Sequence, residues 1–105
     1  MKFKLLFALL LTLLSNDAFA GVESQGKVKN IFAIGGYVKF TICTTSTNCR
    51  TFHTKPDSEF NKMMVTLLLT ARTTDKIVWV GGRDAKGSSW PIQGAHEAYA
   101  VDFKG

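Results

Sequence analysis

Histidine and carboxylate side chains are the groups in this chain that could do acid–base or metal chemistry, and their spacing favours neither. The histidines are His53 and His96, and Glu97 directly follows the second. Neighbouring residues on a strand point to opposite faces, so His96 and Glu97 would not converge on one substrate or ion. Asp84, Glu97 and Asp102 form no spacing that indicates paired catalytic carboxylates. We therefore predict no catalytic residue, no metal site and no cofactor, with the His96-Glu97 pair at a surface or strand edge.

The two cysteines, Cys43 and Cys49, bracket the polar stretch 44–48 between two strand-like runs. In an oxidising compartment such a pair forms a disulfide across a hairpin loop. The alternatives are a redox pair and a metal site. A redox motif typically has two intervening residues, and a zinc site would need two further ligands at matching spacing. The spacing therefore favours a structural disulfide.

Aromatic side chains near cationic and polar ones are the residues that could bind a ligand. Trp79 lies between two valines, and Trp90 precedes Pro91 in a loop-like stretch. Such rings stack on the C–H faces of sugars, while neighbouring polar groups bond to the hydroxyls. The candidate ligand-binding residues are Trp90, Tyr37, Arg83 and Trp79. The alternative is that Trp79 belongs to the core and Trp90 covers one end of the fold.

The first twenty residues have the organisation of a cleavable secretory signal peptide. Lys2 and Lys4 precede the apolar run 5–14, and residues 18–20 supply the small-x-small pattern of a cleavage site. The alternative, a membrane anchor, would need about 20 apolar residues to span the hydrocarbon core. We therefore predict residues 1–20 as signal peptide, residues 21–105 as one mature domain that does not span a membrane, and a secreted or periplasmic location.

The charge of the predicted mature domain is mildly basic. Removing residues 1–20 takes away two lysines and one aspartate, so the net charge falls from +5 to +4. These charges are not gathered into a basic run of the kind that binds nucleic acid, so no nucleic-acid partner is expected.

Hydrophobic alternation and turn residues predict five strands. In the second strand Val38, Phe40 and Ile42 should face inward, because alternate residues share one face. Gly35-Gly36 is a turn or bulge signal, and Gly81-Gly82 should end the fourth strand. The predicted strands occupy residues 26–34, 37–42, 50–54, 76–80 and 98–103.

One helix should follow the third strand. Asp57 or Ser58 can cap its first turn, and apolar residues then recur at helical spacing. This spacing predicts that one face points into the interior, formed by Phe60, Met64, Leu67, Leu68 and Ala71. The order of elements predicts an α+β, mainly β fold: a five-stranded antiparallel barrel with one helix between strands 3 and 4.

The stretch from Phe60 to Val80 resembles part of small secreted bacterial proteins related to the B subunits of subtilase cytotoxin and pertussis-like toxins. In that family an apolar helix passes through a short turn with a lysine into a valine-rich strand, and Glu97 and Tyr99 in the last strand are also similar. The resemblance implies an oligonucleotide/oligosaccharide-binding (OB) barrel, a pentameric ring and binding of sialylated glycans. It assigns no individual glycan-contacting residue.

Together these patterns predict a secreted, non-catalytic binding protein whose partner is a glycan or another protein. The alternative is a structural or interaction protein that docks a protein partner, or forms a homo-oligomer, through the edge of its barrel.

Overall fold

The computed structural model describes residues 21–104, and the predicted signal peptide lies outside them. The described chain is mainly β, with one helix between the third and fourth strands, as predicted. In chain order the elements are β1 (Val22–Ile34), β2 (Tyr37–Cys43), β3 (Cys49–Thr54), α1 (Glu59–Thr74), β4 (Ile77–Lys86) and β5 (His96–Phe103).

The five strands hydrogen-bond in the closed order β1-β2-β3-β5-β4, so that β4 pairs with β1. The prediction of an entirely antiparallel sheet is wrong at one place: β3 and β5 are parallel, with Phe52 opposite His96 and His53 opposite Glu97. Parallel neighbours need a long crossover connection, and α1 together with β4 provides it. The sheet is therefore mixed.

The Gly35-Gly36 signal is a tight hairpin turn between β1 and β2. Both glycines have positive φ, 58° and 84°, and Ile34 pairs directly with Tyr37. A two-residue loop with left-handed backbone matches the right-handed twist of the flanking strands, and glycine adopts it without a Cβ clash. The turn thus places Tyr37 at the very start of β2.

The prediction that Gly81-Gly82 ends the fourth strand is wrong, because β4 continues to Lys86. The two glycines leave room for neighbouring side chains to pack against the strand, and the chain does not turn there. A Cβ at position 81 would lie 2.7 Å from Cη2 of Trp79, and one at position 82 would lie 2.8 Å from the Phe52 ring. Glycine inside a strand often marks such a close approach.

The core lies between the inner faces of the strands and one face of α1. Phe40 and Phe52 stack there with their centroids 5.6 Å apart. The buried residues that form this cluster are Val28, Phe40, Ile42, Phe52, Leu68, Ala71, Val78, Val80 and Ala98.

Helix α1 begins after Ser58, one of the two predicted caps, whose hydroxyl accepts a bond from the backbone N–H of Asn61 at 3.1 Å. Its buried residues are Met64, Leu68 and Ala71, all from the predicted face, and Leu67 of that face is partly buried. The prediction is wrong for Phe60, which is 59% exposed. The first helical turn borders an external cleft instead of the core, so burial begins one turn later.

Candidate ligand-binding cleft

A cleft of about 400 Å³ lies where the outer face of the sheet meets the start of α1. Lys39 of β2 and Glu97 of β5 both pair with His53 of β3, so the three residues form one row across the sheet, and His53 and Glu97 of this row line the cleft. Directly paired residues share a face of the sheet, and the adjacent Phe52 points into the core. His53 and Glu97 therefore face outward, into what we call the His53 cleft.

Aromatic side chains form much of its wall. Tyr37 meets the His53 ring edge-on, with the centroids 5.6 Å apart and the planes at 86°. Tyr99 of β5 and Phe60 of α1 complete the apolar part of the lining, and they are 46% and 59% exposed. Exposed rings around a concave polar floor are typical of small-molecule sites.

His53 is the buried polar group of the cleft. The residue is 6% exposed, and its Nδ1 atom has no hydrogen-bond partner among the described residues. Burial lowers the pKa of His53 below its ordinary value of 6.5; Glu97 raises it, and Lys39 and His96 lower it further. The ring is therefore neutral at pH 7, since desolvation disfavours the charged form.

The charges of the lining balance. Arg83 Nε lies 2.6 Å from Glu97 Oε1, and Lys55 and Asp57 supply one charge of each sign where β3 leads into the helix. Asn61 Nδ2 donates to the Lys55 carbonyl at 2.7 Å, which fixes the amide at the cleft rim. The cleft thus offers hydrogen-bond donors and acceptors without an excess of either charge.

The four predicted ligand-binding residues divide into two groups. Tyr37 and Arg83 both line the His53 cleft. Trp79 and Trp90 are outside its lining: Trp79 packs over Gly81 beside Tyr99, and Trp90 is 72% exposed near the Gly35 turn. The structure therefore brings together one tyrosine and one arginine of the set but neither tryptophan.

His53, Asn61 and Tyr99 belong to the cleft and were not among the predicted site residues. A signal for His53 was present in the sequence, because alternation opposite an inward Phe52 places it on the outer face. Asn61 carried no such signal, since its contribution depends on where the helix starts relative to β3.

The second histidine has a different environment. His96 is 6% exposed, its Nδ1 lies 2.8 Å from the Arg83 carbonyl, and its ring lies 6.0 Å from Phe52. The prediction that His96-Glu97 is a surface or edge pair is therefore wrong for the histidine. The two residues do face opposite ways, with His96 buried and Glu97 exposed.

Cys43 and Cys49 form the predicted disulfide, and the same two residues pair across β2 and β3. It leaves no free cysteine in the described part of the chain. Within residues 21–104 no cluster of three histidine, cysteine or acidic side chains could hold a metal ion. The described helix is not long and apolar enough to cross a membrane.

No protein-family model matches the chain, and neither a curated protein nor a solved structure matches it.

Proposed function

We propose that the chain is a secreted or periplasmic binding protein without catalytic activity, and that the His53 cleft binds a glycan. The observation that carries this proposal is the convergence of Tyr37, Tyr99 and Phe60 around a floor of polar groups. Sugars present C–H faces and hydroxyls together, so they need rings for stacking and fixed donors and acceptors beside them.

The fold assignment within this proposal is an OB barrel. Its support is the closed order of five strands, with α1 between β3 and β4. Proteins with this architecture bind oligonucleotides or oligosaccharides on the sheet surface and its flanking loops. The His53 cleft occupies a comparable position, on the outer face of β2, β3 and β5 beside the helix.

Export is supported by the disulfide between Cys43 and Cys49, which is the kind of bond that persists in oxidising compartments. It also constrains a small domain, for which one hydrophobic core provides only a few kcal/mol of net stability.

The test is a glycan array probed with the processed protein, residues 21–105, and with two variants. Tyr99→Ala removes a cleft ring and should weaken capture by about 1–3 kcal/mol, by analogy with lost aromatic stacking on bases. Trp90→Ala is the matched control, because that ring is exposed but outside the cleft. Loss of capture in Trp90→Ala alone would move the binding surface to the Trp90 loop, and absence of capture by the wild type would refute glycan binding.

A second candidate function is docking of a protein partner or of another copy through a strand edge. One observation favours it: in β3 only Phe52 and His53 pair with β5. The segment 49–51 pairs with β2 on one side and has no described strand on the other. Unpaired strand edges accept added strands. Light scattering on the processed protein across a concentration series tests self-docking, and a monomer at all concentrations would exclude it.

A further inference from the structure

The charge arrangement of the His53 cleft bears on which glycans it would accept. A sialylated glycan brings a carboxylate, and a neutral one brings hydroxyl and amide groups only. A site for an anion needs a cation that is free to pair with it, since an unpaired charge entering a partly buried cleft loses hydration. Acceptance of an anion therefore depends on whether the charges of the cleft lining leave a net positive charge.

Arg83 is a cation of the cleft lining, and it is already paired. Its Nε atom lies 2.6 Å from Glu97 Oε1, so the guanidinium charge is offset inside the cleft. Glu97 would also repel an incoming carboxylate, because it lines the same wall. An anionic sugar would have to compete with a protein carboxylate for Arg83.

The remaining basic groups do not change this balance. Lys39 pairs with His53 in the sheet but is outside the cleft lining, and its ammonium lies 5.8 Å from the Phe32 ring centroid. Lys55 and Asp57 both line the cleft and contribute one charge of each sign, so together they add no net charge. The His53 ring adds no charge at pH 7, because burial lowers its pKa.

We propose that the His53 cleft selects neutral sugars and discriminates against sialylated ones, with Glu97 as the residue that sets this preference. This inference rests on the proposed glycan binding. Neutral hydroxyls both donate and accept hydrogen bonds, so they suit a lining whose charges cancel, whereas a carboxylate meets no net positive charge there. Removing the Glu97 charge would leave Arg83 unpaired and would give the cleft one net positive charge.

The experiment compares wild type, Glu97→Gln and Glu23→Gln on a glycan array that carries each galactose-terminated structure with and without a capping sialic acid. Glu23 is exposed on β1 and outside the cleft lining, so its variant changes the net charge of the protein equally. The measured quantity is the ratio of neutral to sialylated affinity for matched structures, followed by calorimetric titration of the tightest pair.

Wild type and Glu23→Gln should bind the neutral member of each pair roughly tenfold more tightly, and Glu97→Gln should reduce that ratio by roughly the same factor. Equal or tighter binding of sialylated members by the wild type would overturn the selectivity while leaving glycan binding intact. An equal change in both variants would overturn the role of Glu97. No binding of either member would overturn the proposed function and this inference together.

Discussion

Leu68 and Leu69 are neighbours on α1 with opposite environments, and they provide a matched test of the helix packing. Leu68 is 0% exposed in the core, whereas Leu69 is 47% exposed. Leu→Ala deletes the same atoms and changes helix propensity equally at both sites. The two free energies of unfolding can therefore differ only through the surroundings of the side chains.

Leu68→Ala should cost about 2–5 kcal/mol, because it removes buried methyl groups and leaves a cavity beneath the helix. Leu69→Ala should cost about 1 kcal/mol, since full burial of a leucine is worth about 1.5–3 kcal/mol and this side chain is half buried. In a domain of this size each kcal/mol moves the Tm by about 4–8 °C, so the variants should melt roughly 10 °C apart.

The assay is urea and thermal unfolding of both variants and the wild type, monitored by far-UV circular dichroism with the disulfide intact. A common slope against urea would show that the unfolded states are equivalent. Equal destabilisation of the two variants, or a larger loss in Leu69→Ala, would refute the described orientation of α1 against the sheet.

Three further predictions concern separate parts of the chain. Gly26→Ala should prevent stable folding or cost about 3 kcal/mol or more on urea unfolding, since its Cβ would overlap the Cys43 carbonyl oxygen. A variant that unfolds at the same urea concentration as the wild type would contradict this close contact between β1 and β2. Wild-type stability should fall as the pH decreases from 6.5 towards the lowered pKa of His53, because the unfolded chain takes up a proton that the folded ring resists. Between pH 7.5 and pH 5.5 the free energy of unfolding should decrease less in His53→Gln than in the wild type, and equal decreases would contradict the buried neutral ring. Trp90→Ala should change stability by less than about 1 kcal/mol, as the ring is 72% exposed; loss of several kcal/mol in the same assay would show that Trp90 covers the core.

Local sequence signals predicted those parts of the fold that depend on local chemistry. The Gly35-Gly36 turn, the Ser58 cap and the buried face of α1 each follow from short-range rules that the tertiary structure preserves. The disulfide also followed from local spacing, because Cys43 is the last residue of β2, Cys49 is the first residue of β3, and these two strands pair.

The errors arise where distant segments meet. Gly81-Gly82 has the composition of a turn, and only the approach of Trp79 and Phe52 shows why glycine stands inside a strand. The parallel pairing of β3 with β5 likewise depends on the crossover connection between them, and the hydrophobic periodicity of neither strand predicts it.

The cleft was only partly predictable for the same reason. Tyr37 and Arg83 are of residue types common in binding sites, but so are Trp79 and Trp90. Sequence spacing cannot tell which of the two pairs lines the cleft. What separates them is the register that sets His53 beside Glu97, together with the placement of the first turn of α1.

The most direct test of the central claim is amide chemical-shift mapping of isotopically labelled protein comprising residues 21–105, during titration with the tightest neutral glycan from the array. Binding in the His53 cleft predicts saturable shifts concentrated at His53, Asn61, Glu97 and Tyr99, and their loss in Tyr99→Ala. Shifts concentrated around Trp90 and the Gly35 turn, or no shift at any glycan concentration, would contradict it.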